Sequence, residues 1–181
     1  MPFPLESAGL AIRPLESRYI EAFVAYRQDP DTARWQGWEP TYDRDMAKEL
    51  VAGQLDWNFP PSGEYMQLGI IENGRLIGDL GVRSREDQPD TYEIGFTLAP
   101  AARGSGRATR AVSALLDLLF TERAAHRVVA TVDARNNASA AVLIRNGFRK
   151  EAHRIDADWF KGEWTTVDEF ALLSSEFRAE R

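Results

Sequence analysis

Leu98-Ala99-Pro100-Ala101-Ala102-Arg103-Gly104-Ser105-Gly106-Arg107-Ala108-Thr109-Arg110 joins a strand to the start of a helix, and the reading of this stretch decides the fold. Upstream, residues 91–98 alternate Tyr92, Ile94, Phe96 and Leu98 with Glu93, Gly95 and Thr97, the period of a strand. Downstream, 107–122 carries Ala108, Ala111, Val112, Leu115, Leu116, Leu119 and Phe120 at helical spacing, an amphipathic helix with one buried side. The first N–H groups of a helix lack internal partners and lie at the positive end of its dipole, so they attract anions. Gly104 and Gly106 remove Cβ atoms that would keep a ligand away from those amides. A helix start ordinarily favours Asp or Glu, each by roughly 0.3–1 kcal/mol. From 101 to 116 there is no carboxylate, yet there are three arginines, Arg103, Arg107 and Arg110. A multiply charged phosphate resolves that conflict. The plainer alternative is a glycine-rich turn whose arginines are merely solvated. Other phosphate loops fit less well: no Gly-Lys-Ser/Thr occurs for a Walker loop, and Thr109 stands where a dinucleotide fingerprint needs a third small residue.

Working outward, 10–14 reads as a short strand closed by Pro14, and 16–29 as a helix with Tyr19, Ile20, Phe23 and Val24 on one side. Pro30, Gly37 and Pro40 mark a loop that carries Trp35 and Trp38, and a second helix spans 43–57. Strands 65–72 and 75–83 are joined by Asn73-Gly74, the dipeptide that tolerates positive φ at both turn positions. After the long helix come a β-branched strand at 127–132 and a short helix at 138–145, ended by Asn146-Gly147. Two last strands, 148–158 and 164–173, turn at Lys161-Gly162. The order β-α-α-β-β-β-α-β-α-β-β predicts one mixed α/β domain over 1–181.

Composition narrows the chemistry. With 181 residues, 44% hydrophobic and 28% charged, the chain fits one ordinary globular domain with a real core. It has no cysteine, which excludes a disulfide framework, a thiolate zinc site and a cysteine nucleophile. His126 and His153 are the only histidines, so no histidine-rich metal site is expected. The 28 acidic residues exceed the 22 basic ones, and a net charge of −6 argues against nucleic acid or an anionic membrane as partner. The apolar run 111–120 is broken by Asp117 and too short to span a bilayer. Residues 1–14 lack the basic-then-apolar pattern of a signal peptide, so a cytoplasmic protein is expected.

Arg103-Gly104-Ser105-Gly106-Arg107-Ala108 resembles the Gln/Arg-x-x-Gly-x-Gly/Ala signature of the GNAT acetyltransferases. Asn136-Asn137-Ala138-Ser139 followed by Gly147-Phe148 is similar to the Asn-x-x-Ser…Gly-Phe segment of the RimJ/RimL-like branch. The tail from Trp159 through Trp164 to Leu173, and Arg34-Trp35…Trp38, look like the same branch, so the resemblance covers nearly the whole chain. It implies a central, mostly antiparallel sheet splayed between the fourth and fifth strands, 91–98 and 127–132, and flanked by about four helices. It also implies acetyl-coenzyme A as cosubstrate, with no metal. Backbone groups of Phe96, Thr97 and Leu98 would hold the thioester and pantetheine arm. Arg103, Gly104, Ser105, Gly106, Arg107, Ala108 and Thr109 would hold the phosphates, and Asn136 and Ser139 would reach the arm from the other side. Asn136 would equally serve as a helix cap without any ligand.

The chemistry implied is transfer of an acetyl group to a primary amine. Without cysteine an acyl-cysteine is impossible, so direct attack in a ternary complex is expected. A backbone N–H near Leu98 could stabilise the oxyanion. Glu93 is the candidate base by likeness to related enzymes; the alternative is a strand carboxylate facing solvent or pairing with an arginine. Leu143 stands where many members carry a tyrosine acid, so Ser139 is the candidate donor to the departing thiolate. Thr166 stands where the branch often carries Asp. Trp35, Trp38 and Trp159 are candidates for the acceptor groove, while Glu39, Asp43, Asp156 and Asp158 could attract a cationic amine or form a solvated face. The resemblance leaves the acceptor as either a protein N-terminus or a small molecule, and suggests a homodimer. A domain that binds acyl-coenzyme A as a sensor, without catalysis, is the alternative function.

Overall fold

Asn73 and Gly74 take φ of 50° and 75°, the twist a two-residue hairpin needs, and join β3 (Tyr65–Glu72) to β4 (Arg75–Ser84). Around this hairpin the computed structural model, which describes residues 3–179, builds one eight-stranded sheet. The ends of the expected 1–181 domain, residues 1–2 and 180–181, lie outside the described residues. The other strands are β1 (Leu5–Ser7), β2 (Leu10–Pro14), β5 (Thr91–Leu98), β6 (Arg127–Asp133), β7 (Arg149–Phe160) and β8 (Glu163–Leu173). Their order is β1-β2-β3-β4-β5-β6-β8-β7. Every adjacent pair is antiparallel except β5–β6. The mixed, mostly antiparallel architecture expected from the sequence is therefore the one observed.

Alternation along the strands sends side chains to two cores. Leu68, Leu80 and Ile94 meet Ala111, Leu115 and Leu116 of α4 (Arg107–Asp117) on one face. On the other, Ile71 and Leu76 meet Phe23 and Tyr26 of α1 (Ile20–Arg27) and Ala47 and Val51 of α3 (Arg44–Gly53). Full burial of each large apolar side chain contributes roughly 1.5–3 kcal/mol. Three further helices, α2 (Pro30–Ala33), α5 (Asn137–Arg145) and α6 (Ser174–Ala179), bring the α-helices among the described residues to six, where about four were expected. Among the described residues no helix is long and apolar enough to cross a membrane.

The structure departs from the sequence reading at short elements. The expected loop at 30–40 begins with α2, started by Pro30 and capped by Asp29, whose carboxylate accepts from Thr32 N at 2.8 Å. The helix expected over 43–57 ends at Gly53. The long helix widens into a π-type turn over Leu118–Glu122.

The feature that positions the site is the divergence of β5 from β6. They pair only at Thr91↔Arg127, Tyr92↔Val128 and Glu93↔Val129. On its opposite edge β5 stays paired with β4 as far as Gly78↔Leu98. From Ile94 to Leu98, β5 therefore has no β6 partner. Its backbone groups on that edge are available to a ligand. This is the splay expected between the fourth and fifth strands, here β5 and β6.

Candidate active site

Gly106 is the N-cap of α4, at φ 72° and without a side-chain cap, and Gly104 stands at φ 81°. A Cβ on Gly104 would meet nothing within 4 Å, and one on Gly106 only Arg110 Nη1 at 3.8 Å. The turn thus needs glycine for its left-handed backbone and leaves open space before uncapped N–H groups. That space is a cleft of about 830 Å³. Phe96, Thr97 and Leu98 form one side of it, and Arg103, Gly104, Gly106, Arg107, Ala108 and Thr109 form the turn side. Asn136 and Ser139 face them from α5. Ser105 is the one predicted coenzyme residue that does not line the cleft; its hydroxyl accepts from Arg107 instead.

The arginines are less bare than their sequence neighbourhood implies. Arg107 donates from Nε to both oxygens of Glu72, at 2.9 and 3.0 Å, which holds the Glu72 carboxyl below its ordinary value. Arg103 donates to Thr32 Oγ1 at 2.5 Å and to Leu98 O at 3.2 Å, and lies 4.0 Å from Asp29. The carboxylate-free entrance holds along the chain only. Folding brings in Glu72 from the end of β3 and Asp29 from the start of α2. Arg110 and Arg145, both lining the cleft, make no ion pair among the described residues. Arg110 still feels the charge of Glu72, which Arg107 pairs with, so Arg145 is the cation least neutralised by the protein.

A smaller pocket of about 220 Å³ opens beyond the first. Trp35, Gln36, Phe96, Asn136 and Ser139 line both spaces and form their junction. The two differ in charge. The larger is lined by four arginines and no carboxylate, the smaller by Asp133 and Asp158 and no basic residue. Asp133 is engaged: Arg135 donates to it at 2.7 and 2.9 Å, and that hydrogen bonding holds its carboxyl below the usual range. Asp158 makes no ion pair among the described residues.

Glu93, the expected base, lines neither of these two spaces. The β4–β5 register sets Glu93 opposite Arg83, which donates to its carboxylate, while Tyr65 Oη donates at 2.6 Å. It lines a third depression with Arg127 and Glu169, which shares Ala130 and Thr131 with the smaller pocket. The arginine-paired alternative is the one observed. Because β5 and β6 still pair at Glu93↔Val129, this residue sits before the splay.

Of the acceptor candidates, Trp35 lines both spaces. Trp38 does not: its ring stacks on the buried Arg27 guanidinium at 3.7 Å and its Nε1 donates to Arg27 O at 3.2 Å. Trp159 is 61% exposed and packs edge-on against Trp164 at 5.4 Å, outside the pocket. Among the acidic candidates, Glu39 pairs with Lys161 and Asp43 caps α3, whereas Asp158 lines the pocket. Asn136 also caps α5, accepting from Ser139 N at 3.1 Å, so its capping and lining roles coexist.

Sequence reasoning missed Gln36, Asp133, Arg145 and Phe160 as lining residues. Arg145 carried a usable signal. With Ala138, Ala141 and Val142 it forms a stripe at three- and four-residue spacing on α5, small side chains ending in a cation.

Comparison with known proteins places this geometry in context. A family model described as an acetyltransferase (GNAT) domain matches residues 10–149. The uncharacterized N-acetyltransferase p20 of Bacillus licheniformis is 26% identical over 173 residues, covering 96% of this chain and 97% of that protein. A spermidine N-acetyltransferase from Vibrio cholerae, solved with CoA and spermine, superimposes with TM-score 0.80 at 20% identity, covering 94% and 98% of the two chains. RimL, a ribosomal L7/L12 alpha-N-protein acetyltransferase solved with coenzyme A, does so with TM-score 0.79 at 20% identity, covering 94% and 96%.

Proposed function

Because the chain belongs to the GNAT acetyltransferase family and is an N-acetyltransferase, we propose that it moves the acetyl group of acetyl-coenzyme A to a primary amine by direct attack in a ternary complex. The observation that carries this reading is the opposite charge of two joined spaces: four arginines line the larger, two carboxylates the smaller. A phosphate-bearing donor suits the first and a cationic amine the second.

In this reading the free amides before α4, with Arg110 and Arg145, hold the phosphates. The unpaired edge of β5 over 94–98 orients the pantetheine arm, and one of its N–H groups faces the developing oxyanion. Acetyl-coenzyme A supplies the acyl group already activated as a thioester. An amine is mostly protonated near neutral pH, with pKa about 8 for an α-amine and about 10.4 for lysine. The proton must leave before attack, and Asp158, exposed and free of ion pairs, passes it to solvent. Glu93 serves structure in this scheme. Ser139, at the junction, donates to the departing sulfur; Leu143 is fully buried and cannot.

The finer family placement, with the RimJ/RimL-like branch, belongs to the same proposal. It rests on Asn136 through Ser139 and on the Trp159–Trp164 hairpin tip. A cytoplasmic location and a homodimer are also part of it, the latter favoured by exposed Ile155, Trp159 and Trp164 near the β7 edge of the sheet.

The test is release of free thiol from acetyl-coenzyme A across a library of amines, paired with thermal-shift measurements. Coenzyme A should stabilise the protein well above ATP or NAD at equal concentration, by about 2.7 kcal/mol at a hundred times its Kd. Stabilisation without turnover on any amine would leave only a coenzyme-binding sensor. No stabilisation would remove the site itself.

A further inference from the structure

The β7–β8 turn consists of two residues, Lys161 and Gly162, at φ 50° and 85°, between the last pair Phe160↔Glu163. Such a turn favours Asn-Gly or Asp-Gly, because the first position is left-handed and carries a Cβ. Lysine is a poor choice for backbone reasons, so its side chain invites an explanation. Lys161 Nζ donates to Trp38 O at 2.6 Å and to Ala33 O at 2.8 Å, and lies 3.4 Å from the Glu39 carboxylate. Three acceptors thus surround an ammonium that has three N–H donors. All three belong to 33–39, the segment that carries Trp35 and Gln36.

That segment and the hairpin are two facing walls of the acid-lined pocket, whose floor is formed by β5 and β6. Trp35 and Gln36 stand on one side, Asp158 and Phe160 on the other, the latter pair placed two residues apart on the same face of β7. The β7 strand carries a register irregularity between Arg154 and Asp158, just before these pocket residues. Lys161 reaches from the tip of one wall to the backbone of the other.

Resting on the amine-transfer reading above, we propose that Lys161 is a positioning residue that clasps the walls of the acceptor pocket together and restricts it to small amines, excluding polypeptide N-termini. The pocket is about 220 Å³, below the roughly 300–1,000 Å³ of clefts that take drug-sized ligands. A polypeptide end needs an open groove for the residues behind its α-amine. Walls tied by charge-assisted hydrogen bonds do not part to provide one. A compact amine needs only the space already present, with Asp158 to meet its charge.

The experiment compares wild type with Lys161→Asn and Lys161→Arg. Asparagine before glycine is the favoured sequence for this turn, so the first variant keeps the hairpin while removing the clasp. The arginine variant keeps a cation at the tip. Substrates are 1,4-diaminobutane and an unstructured, lysine-free peptide with a free α-amine. Wild type should strongly prefer the diamine. Lys161→Asn should leave Tm near wild type, the favoured turn offsetting the lost hydrogen bonds, raise KM for the diamine about tenfold with kcat changed less than about threefold, and shift the preference toward peptide about tenfold. Lys161→Arg should recover much of the wild-type preference, and coenzyme A affinity should stay within about twofold in both variants. Wild-type KM and preference in Lys161→Asn, or a wild type that favours the peptide, overturns the clasp while leaving the transferase intact. A wild type that acetylates no amine overturns the transferase reading on which the clasp depends.

Discussion

At Glu93 the cross-strand neighbour decides the role. Register places Arg83 directly opposite, and Tyr65 adds a hydroxyl, so each carboxylate oxygen already has a donor. Loss of solvent and the hydrogen bond to Glu93 push the Tyr65 hydroxyl up, so it remains protonated and donating. Asp158 is the converse, a carboxylate facing the smaller pocket and making no ion pair among the described residues. These environments separate two substitutions that the sequence alone treats alike. Glu93→Gln should leave kcat/KM for amines within about twofold and cost at most about 1 kcal/mol of stability, as for a partly exposed ion pair. Asp158→Asn should lower kcat/KM about tenfold or more with little change in Tm, as expected for a lost charge-assisted contact. Steady-state kinetics and melting curves of both variants check this; a large kinetic loss in Glu93→Gln alone would restore it as the base. Trp38 follows the same logic. Its ring covers the guanidinium of Arg27, which is 3% exposed and also stacks on Phe23 and Tyr42, so packing claims a residue that the sequence offered to the acceptor.

Among elements, the β7–β8 pair is the one whose alignment matters most to the acceptor pocket, and Asp168 of β8 helps fix it. Its buried carboxylate accepts from Lys150 Nζ at 2.7 Å and lies 2.6 Å from His153 Nδ1, both on β7. Burial alone would raise its pKa, but hydrogen bonding to Lys150 and His153 outweighs burial and lowers it. With the folded value below the ordinary one of about 3.9, Asp168 adds stability that is complete above that value and lost as pH falls through the folded pKa. Asp168→Asn should therefore be less stable than wild type by about 1 kcal/mol near pH 7, with the gap narrowing near pH 3. Urea unfolding at the two pH values measures it, and a gap that stays constant with pH would show that the charge of Asp168 is irrelevant. The elements themselves differed in how far the sequence exposed them. The β3–β4 hairpin, β5 and α4 were readable because turn chemistry and periodicity are local properties of 65–117. Strand β1 and helix α2 were not, since three or four residues carry no period; β1 exists because it pairs with β2. The turn side of the larger cleft was legible for the same reason, because Arg103 to Thr109 form one continuous stretch. The acceptor side was not, because Gln36, Asp133 and Phe160 come from three separated segments that only the fold brings together.

At the scale of the molecule, charge is segregated. A chain of net charge −6 gathers four arginines around one cleft. Arg107 and Arg103 spend part of their charge on Glu72 and Asp29, and Arg110 also acts on Glu72, which leaves Arg145 as the one of the four with no carboxylate partner among the described residues. The surrounding negative field opposes the approach of an anion, while the cleft attracts it at short range. Salt acts on these two effects unequally. Screening lengths fall from about 30 Å at 0.01 M to about 3 Å at 1 M, so modest salt first removes the distant repulsion and higher salt then weakens the local attraction. Coenzyme A affinity should consequently change little, or improve slightly, between about 0.01 and 0.05 M KCl and then decline severalfold toward about 0.5 M. Removing Arg145, which pairs with no carboxylate among the described residues and stands exposed at the cleft end of the α5 stripe, should weaken binding and flatten the declining limb together. Isothermal titration of coenzyme A into wild type and Arg145→Gln over that range reads both effects. A wild-type affinity that is indifferent to salt would mean that phosphate recognition rests on the backbone amides of the α4 entrance, with the arginines contributing only shape.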